Sequence, residues 1–181
     1  MDKYTFEEHI HRYAVWTAAR ASQRGFTSTA VIDGAIGRAK HLRDYLAAPK
    51  VDAEEFNTFH KEAAKALMEE LKREAPGDKC TYGRAAKIIA IYLKTAVVLR
   101  LRPEAPESLV IHPPIDRILL NNFASKLKKH YPDSKHLAAD LRKNWTELTQ
   151  DEYWELVETI QKIGAPLNWR LEEYWEISGE D

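Results

Sequence analysis

The stretch RAAKIIAIYLKTAVVLR, from Arg84 to Arg100, constrains the fold of this chain more than any other, because it is apolar on nearly every side. A surface helix would keep one polar face, so this pattern predicts a central helix wrapped by the rest of the molecule. Only Lys87 and Lys94 interrupt its middle, and they lie about two turns apart on one face. An ammonium buried without a partner is costly. These amines must therefore snorkel to a rim, pair with acids, or line a solvated pocket that favours the neutral, nucleophilic form.

Capping residues mark the helices that would do the wrapping. Thr5, followed by Glu7 and Glu8, opens a helix expected to reach Gly25. Thr27 to Thr29 lead into AVIDGAIGRAKHLRDYLAA, read as one helix ending near Pro49, and Asp52 caps AEEFNTFHKEAAKALMEELKREA. APGDKCTYG is a tight connection. Prolines at 103, 106, 113 and 114 bracket an extended connector, and Pro114 suits the first turn of IDRILLNNFASKLKKHY, which would carry Asp116 in that same turn. Asp133 or Ser134 caps KHLAADLRKNW; Thr149 and Glu152 form a capping box ahead of YWELVETIQKIG, which Gly164 stops. The ending LNWRLEEYWEIS reads as a short helix or an irregular tail pinned by Trp169 and Trp175. No strand pattern or repeat intervenes. With 181 residues, the expectation is an all-α fold in one compact multi-helix domain, 1–181.

Charge narrows the partners. A formal net charge of -1 provides no global attraction to nucleic acid, so any such affinity must come from arrangement. Lys79, Arg84, Lys87, Lys94, Arg100 and Arg102 run without an intervening acid, and Lys126, Lys128, Lys129 and Lys135 form a second basic cluster. The segment from Glu147 onward is acidic, which permits one basic and one acidic face. The single cysteine, Cys80, excludes an internal disulfide framework and a multi-cysteine zinc site and fits a reducing, cytoplasmic compartment; no metal and no cofactor is expected. MDKYTFEEHIHRYAVW lacks the apolar stretch of a secretory signal, and no apolar run is long enough to span a bilayer, so a membrane role is not expected.

In IHPPIDRILLNNF a proline pair delivers Asp116 to a helix start beside Arg117 and just after His112. Alone, that acid is an ordinary helix cap and His112 an ordinary core or surface histidine. Together, YGRAAKIIAIYLK and the later HPPIDRILL resemble the catalytic region of the helix-hairpin-helix DNA glycosylases, most nearly the archaeal 8-oxoguanine DNA glycosylase branch. The resemblance covers roughly Ala75 to Phe123, the hairpin and catalytic region. The hairpin diverges: the family turn has two glycines separated by one residue, whereas CTYGRAAK has Gly83 alone.

The resemblance implies that Lys87 is the catalytic lysine, Asp116 the catalytic aspartate and Lys94 a second pocket lysine. It implies base excision with abasic-site lyase activity through a lysine Schiff base, on double-stranded DNA with a flipped damaged or modified purine such as 8-oxoguanine. A neutral amine can attack the anomeric carbon while a carboxylate stabilises the developing positive sugar. If so, the Lys87 amine and the Asp116 carboxylate must open into one cleft.

A flipped base needs aromatic or apolar walls. His9, Tyr13, Trp16 and Arg20 recur at helical spacing on the first helix, and Trp169, Trp175 and His112 are further base-pocket candidates. DNA contact would fall to amides near Gly83 and to Lys79, Arg84 and Arg117. Two alternatives fit the same residues: a catalytically silent nucleic-acid-binding module, and a helical protein-interaction domain whose basic and acidic segments pair with each other or with a partner.

Overall fold

In the computed structural model, which describes residues 4–176, the longer helices begin where a side chain satisfies orphan amides. Helix α1 (Phe6–Ser22) starts at Thr5, whose hydroxyl accepts from the Glu8 amide at 3.1 Å. Ser28 caps α2 (Thr29–Ala39), and Asp52 accepts from the amides of Glu54 and Glu55 to open α4 (Ala53–Leu71). Between them lies α3 (His41–Ala47). The expected single helix from Thr29 towards Pro49 is thus two, because Lys40 takes φ 56° in the left-handed region. The break turns Leu42 and Tyr45 into the core.

Helix α5 (Tyr82–Leu93) starts at Thr81 and occupies the centre, as its pattern predicts. Ala85, Ile88, Ile89, Tyr92 and Leu93 have no solvent exposure. Each such isoleucine or leucine contributes on the order of 1.5–3 kcal/mol of burial free energy, which is why α1 and α4 close over it. Past Leu93 the helix widens into a π turn, Lys94–Val98, in which the Leu99 amide donates to the Lys94 carbonyl at 2.9 Å. This turn leaves Leu99 70% exposed although the sequence pattern continues apolar.

The connector contains a short helix, α6 (Pro106–Val110), that was not expected from its prolines. Pro106 supplies a first helical position where no amide is needed. Pro114 lies outside α7 (Arg117–His130) rather than in its first turn, and Asp116 is the cap: its Oδ1 accepts from the amides of Ile118 at 3.0 Å and Leu119 at 3.1 Å. KHLAADLRKNW forms no α-helix; a 3₁₀ turn over Pro132–Ala138 gives way to further turns, since Leu141 is the only side chain of that segment buried in the core. Thr149 and Glu152 make the expected capping box for α8 (Gln150–Ile163), and Gly164 ends it at φ 83°. A 3₁₀ turn, Trp169–Tyr174, follows. Ile177 and Ser178 of the expected tail, and the outer ends of the 1–181 domain, lie outside the described residues. The described residues form one all-helical compact domain around a single core, and no helix among them is long and apolar enough to cross a membrane.

Gly83 is where α5 meets the loop before α8. Its amide donates to the Leu148 carbonyl at 3.1 Å, and a β-carbon there would overlap the Trp145 carbonyl oxygen. Thr81 reinforces the junction by donating to the Thr146 carbonyl at 2.7 Å. Gly83→Ala should therefore cost about 1–3 kcal/mol in urea denaturation through forced separation of the two segments, although alanine is the better helix former.

Candidate functional site

The connector between α6 and α7 positions the site. His112 is buried and hydrogen-bonds the Tyr153 hydroxyl through Nδ1 at 3.0 Å, fixing one end. Pro113 and Pro114 carry the chain onward in an extended form, and capping of α7 fixes the other end. Asp116 is thereby held by Oδ1 while Oδ2 faces α5. There the Lys87 ammonium donates to Oδ2 at 3.1 Å and the Trp175 indole donates to the same oxygen at 3.2 Å.

The Lys87 and Asp116 side chains are only 12% and 13% exposed. Lys87 Nζ also lies 4.5 Å from the centre of the Trp145 ring, a cation–π contact that partly compensates desolvation of the amine. Two turns on, Lys94 pairs with Glu172 of the C-terminal 3₁₀ turn. Both lysines, Asp116, Glu172 and Trp175 line one cleft of about 350 Å³ with Thr17 and Ala21 of α1, Pro114, and Leu99 beyond the π turn. That volume lies in the ~300–1,000 Å³ range of small-molecule sites. A second cleft, of about 370 Å³ between α4 and the start of α8, interleaves Lys65 and Lys72 with Glu69 and Glu147 and has no comparable buried pair. No family model, curated protein or solved structure matches this chain.

The two lysines therefore share a face and a cleft, each paired with an acid. Trp175 reaches the cleft, but Trp169 does not: its indole donates to the Pro103 carbonyl at 3.0 Å and anchors the tail elsewhere. His112 is no pocket wall. It belongs to a largely buried aromatic cluster with Phe56, His60, Tyr153 and the partly buried Trp154. His9, Tyr13, Trp16 and Arg20 are exposed on the outer face of α1 and do not line the cleft, where Thr17 and Ala21 stand instead.

Of the residues expected to grip DNA, Gly83 is buried with its amide committed to Leu148, so that amide cannot receive a phosphate. Arg84 is half-buried, its guanidinium 4.8 Å from the Phe26 ring centre and its Nε without a partner; burial lowers its pKa. It is a packing residue. Lys79 and Arg117 remain exposed. Trp145, Thr17 and Glu172 escaped the sequence reading. Trp145 lies in an irregular segment, and only the general requirement of an acid for each buried lysine pointed to Glu172.

Burial keeps His60 and His112 neutral, with His112 pushed down to about 3 from 6.5. Between those values the unfolded chain takes up a proton that the folded His112 refuses. Its contribution to stability is thus complete above about pH 6.5 and is lost as the pH falls towards 3. His112→Asn, which can keep the hydrogen bond to Tyr153, should flatten the acid limb of urea-denaturation stability by up to about 1.4 kcal/mol per pH unit.

Proposed function

We propose that this protein is a DNA base-excision glycosylase of helix-hairpin-helix type with associated abasic-site lyase activity, acting on a damaged or modified purine such as 8-oxoguanine. One observation carries the reading: the Lys87 amine and the Asp116 carboxylate, from segments distant in sequence, meet at 3.1 Å in one cleft. The resemblance of YGRAAKIIAIYLK and HPPIDRILL to the catalytic region of that family supports it.

In this reading Asp116 Oδ2 takes a proton from Lys87, and the freed amine bonds to C1′ of the deoxyribose as the glycosidic bond breaks. The bonding pair leaves with the base, which receives the proton from Asp116. As its proton passes to the base, Asp116 becomes a carboxylate again and stabilises the positive charge left on the sugar and the attached nitrogen, its orientation held by the α7 amides and the Trp175 indole. A further proton then passes from the nitrogen to O4′, the C1′–O4′ bond breaks and the nitrogen lone pair closes the C1′=N bond of a Schiff base. Removal of a C2′ proton then expels the 3′ phosphate, and water hydrolyses the imine to release Lys87.

A second reading, nucleic-acid binding without lysine chemistry, is favoured by the Lys87–Asp116 ion pair, which a purely structural role also explains, and by the exposed cations Lys79 and Arg117. Borohydride trapping on duplexes containing 8-oxoguanine or an abasic site separates the two. The native chain should form a covalent adduct that Lys87→Gln loses. Asp116→Asn, which retains a cap oxygen but removes the charge facing Lys87, should slow base release by about 10²–10⁴-fold, with unchanged circular dichroism checking that the variant is folded. No adduct on either duplex or on a single strand with an abasic site, with DNA still bound, would overturn the enzyme reading in favour of the binding module.

A further inference from the structure

The outer face of α1 is unusual for a helix packed on a core. Phe6, Tyr13 and Trp16 are 67%, 56% and 53% exposed. Tyr13 and Trp16 stack on each other with ring centres 5.7 Å apart and planes 25° from parallel. The Arg20 guanidinium lies 5.7 Å from the Trp16 ring centre, and that of Arg100 lies 5.9 Å from Phe6. Neither arginine forms an ion pair with a described residue.

This surface continues into the cleft. Thr17 and Ala21 line the cleft wall, and helical geometry places Tyr13 and Arg20 beside Thr17 on the solvent side. Exposed Leu99, at the end of the π turn, forms the opposite rim next to Arg100. Planar rings alternating with unpaired cations complement planar bases on an anionic backbone. They suit a flexible strand, whose bases are free to stack, better than a duplex, whose bases are already stacked. The hairpin that would seat a duplex backbone is meanwhile spent on Leu148.

We propose that the exposed face of α1, with Phe6, Tyr13, Trp16, Arg20 and Arg100, is a stacking platform for single-stranded nucleic acid that feeds the Lys87–Asp116 cleft. The platform makes an unpaired strand the preferred substrate class. That last step rests on the glycosylase reading; the binding surface itself does not.

The test uses the full chain and fluorescence anisotropy with an oligothymidylate of about 12 nucleotides and a duplex of equal length, for the native protein and Trp16→Ala. The single strand should bind at least about tenfold more tightly than the duplex, and Trp16→Ala should weaken it by about tenfold, with affinity falling as salt rises. Tyr13→Ala provides a second variant, and unchanged circular dichroism shows that each remains folded. Equal or tighter duplex binding, or a single-strand affinity indifferent to both variants, overturns the proposal. So does Trp16-dependent self-association in sedimentation without oligonucleotide binding, which would make the face a protein interface. Borohydride trapping on a single strand with an abasic site is read in parallel. Trp16-dependent binding without an adduct on the single strand or on the duplexes leaves the platform standing and removes the glycosylase, whereas an adduct unaffected by Trp16→Ala does the reverse.

Discussion

An amine on the most buried helix must be compensated, and much of the architecture around the cleft follows from that requirement. Lys87 projects from α5 between positions with no solvent exposure, so its charge survives only if a carboxylate is brought to it. Asp116 meets that need because it serves two structures at once: one oxygen caps α7 and the other receives the ammonium. Neither bond leaves the carboxylate free to turn. The trade between a buried charge and a rigid orientation is unfavourable for stability alone and favourable for chemistry that needs an acid and an amine in register.

The rigidity is inherited from elsewhere. His112, buried among aromatic rings and tied to Tyr153 of α8, anchors the connector before its two prolines, so the position of Asp116 depends on a core that has no part in the cleft. The contact of Gly83 with the Trp145–Leu148 segment similarly sets the Trp145 ring beside Lys87. The C-terminal turn completes the wall by placing Glu172 on Lys94 and Trp175 on Asp116. Three separate parts of the chain thus converge on two lysines of one helix.

Much of the fold was legible because capping and periodicity are local. Thr5, Asp52 and Thr149 each mark a helix start by offering an oxygen to amides two or three residues away, and the all-round apolar pattern of α5 admits only a central place. The failures are equally physical. Lys40 breaks a helix through a backbone angle that no side-chain pattern announces, and the segment around Leu141 offers Asp133 and Ser134 as cap residues, neither of which caps, with too little apolar surface to hold a helix. Leu99 continues an apolar run yet is turned outward by the π turn.

At the cleft, sequence spacing put Lys87 and Lys94 on one face and tied Asp116 to a helix start, since both follow from helix geometry over a few residues. The resemblance set Lys87 and Asp116 at one cleft, but that Glu172 is the acid on Lys94 was decided only by tertiary structure. So was the exclusion of His112 and Trp169 from the cleft, and the replacement of Tyr13 and Trp16 by Thr17 and Ala21 as its α1 wall. A helix repeat states which residues share a side, but a few tens of degrees of rotation against neighbouring helices determine whether that side faces a cavity, the core or water. Rotation is set by the packing of the whole molecule, and no segment carries it alone.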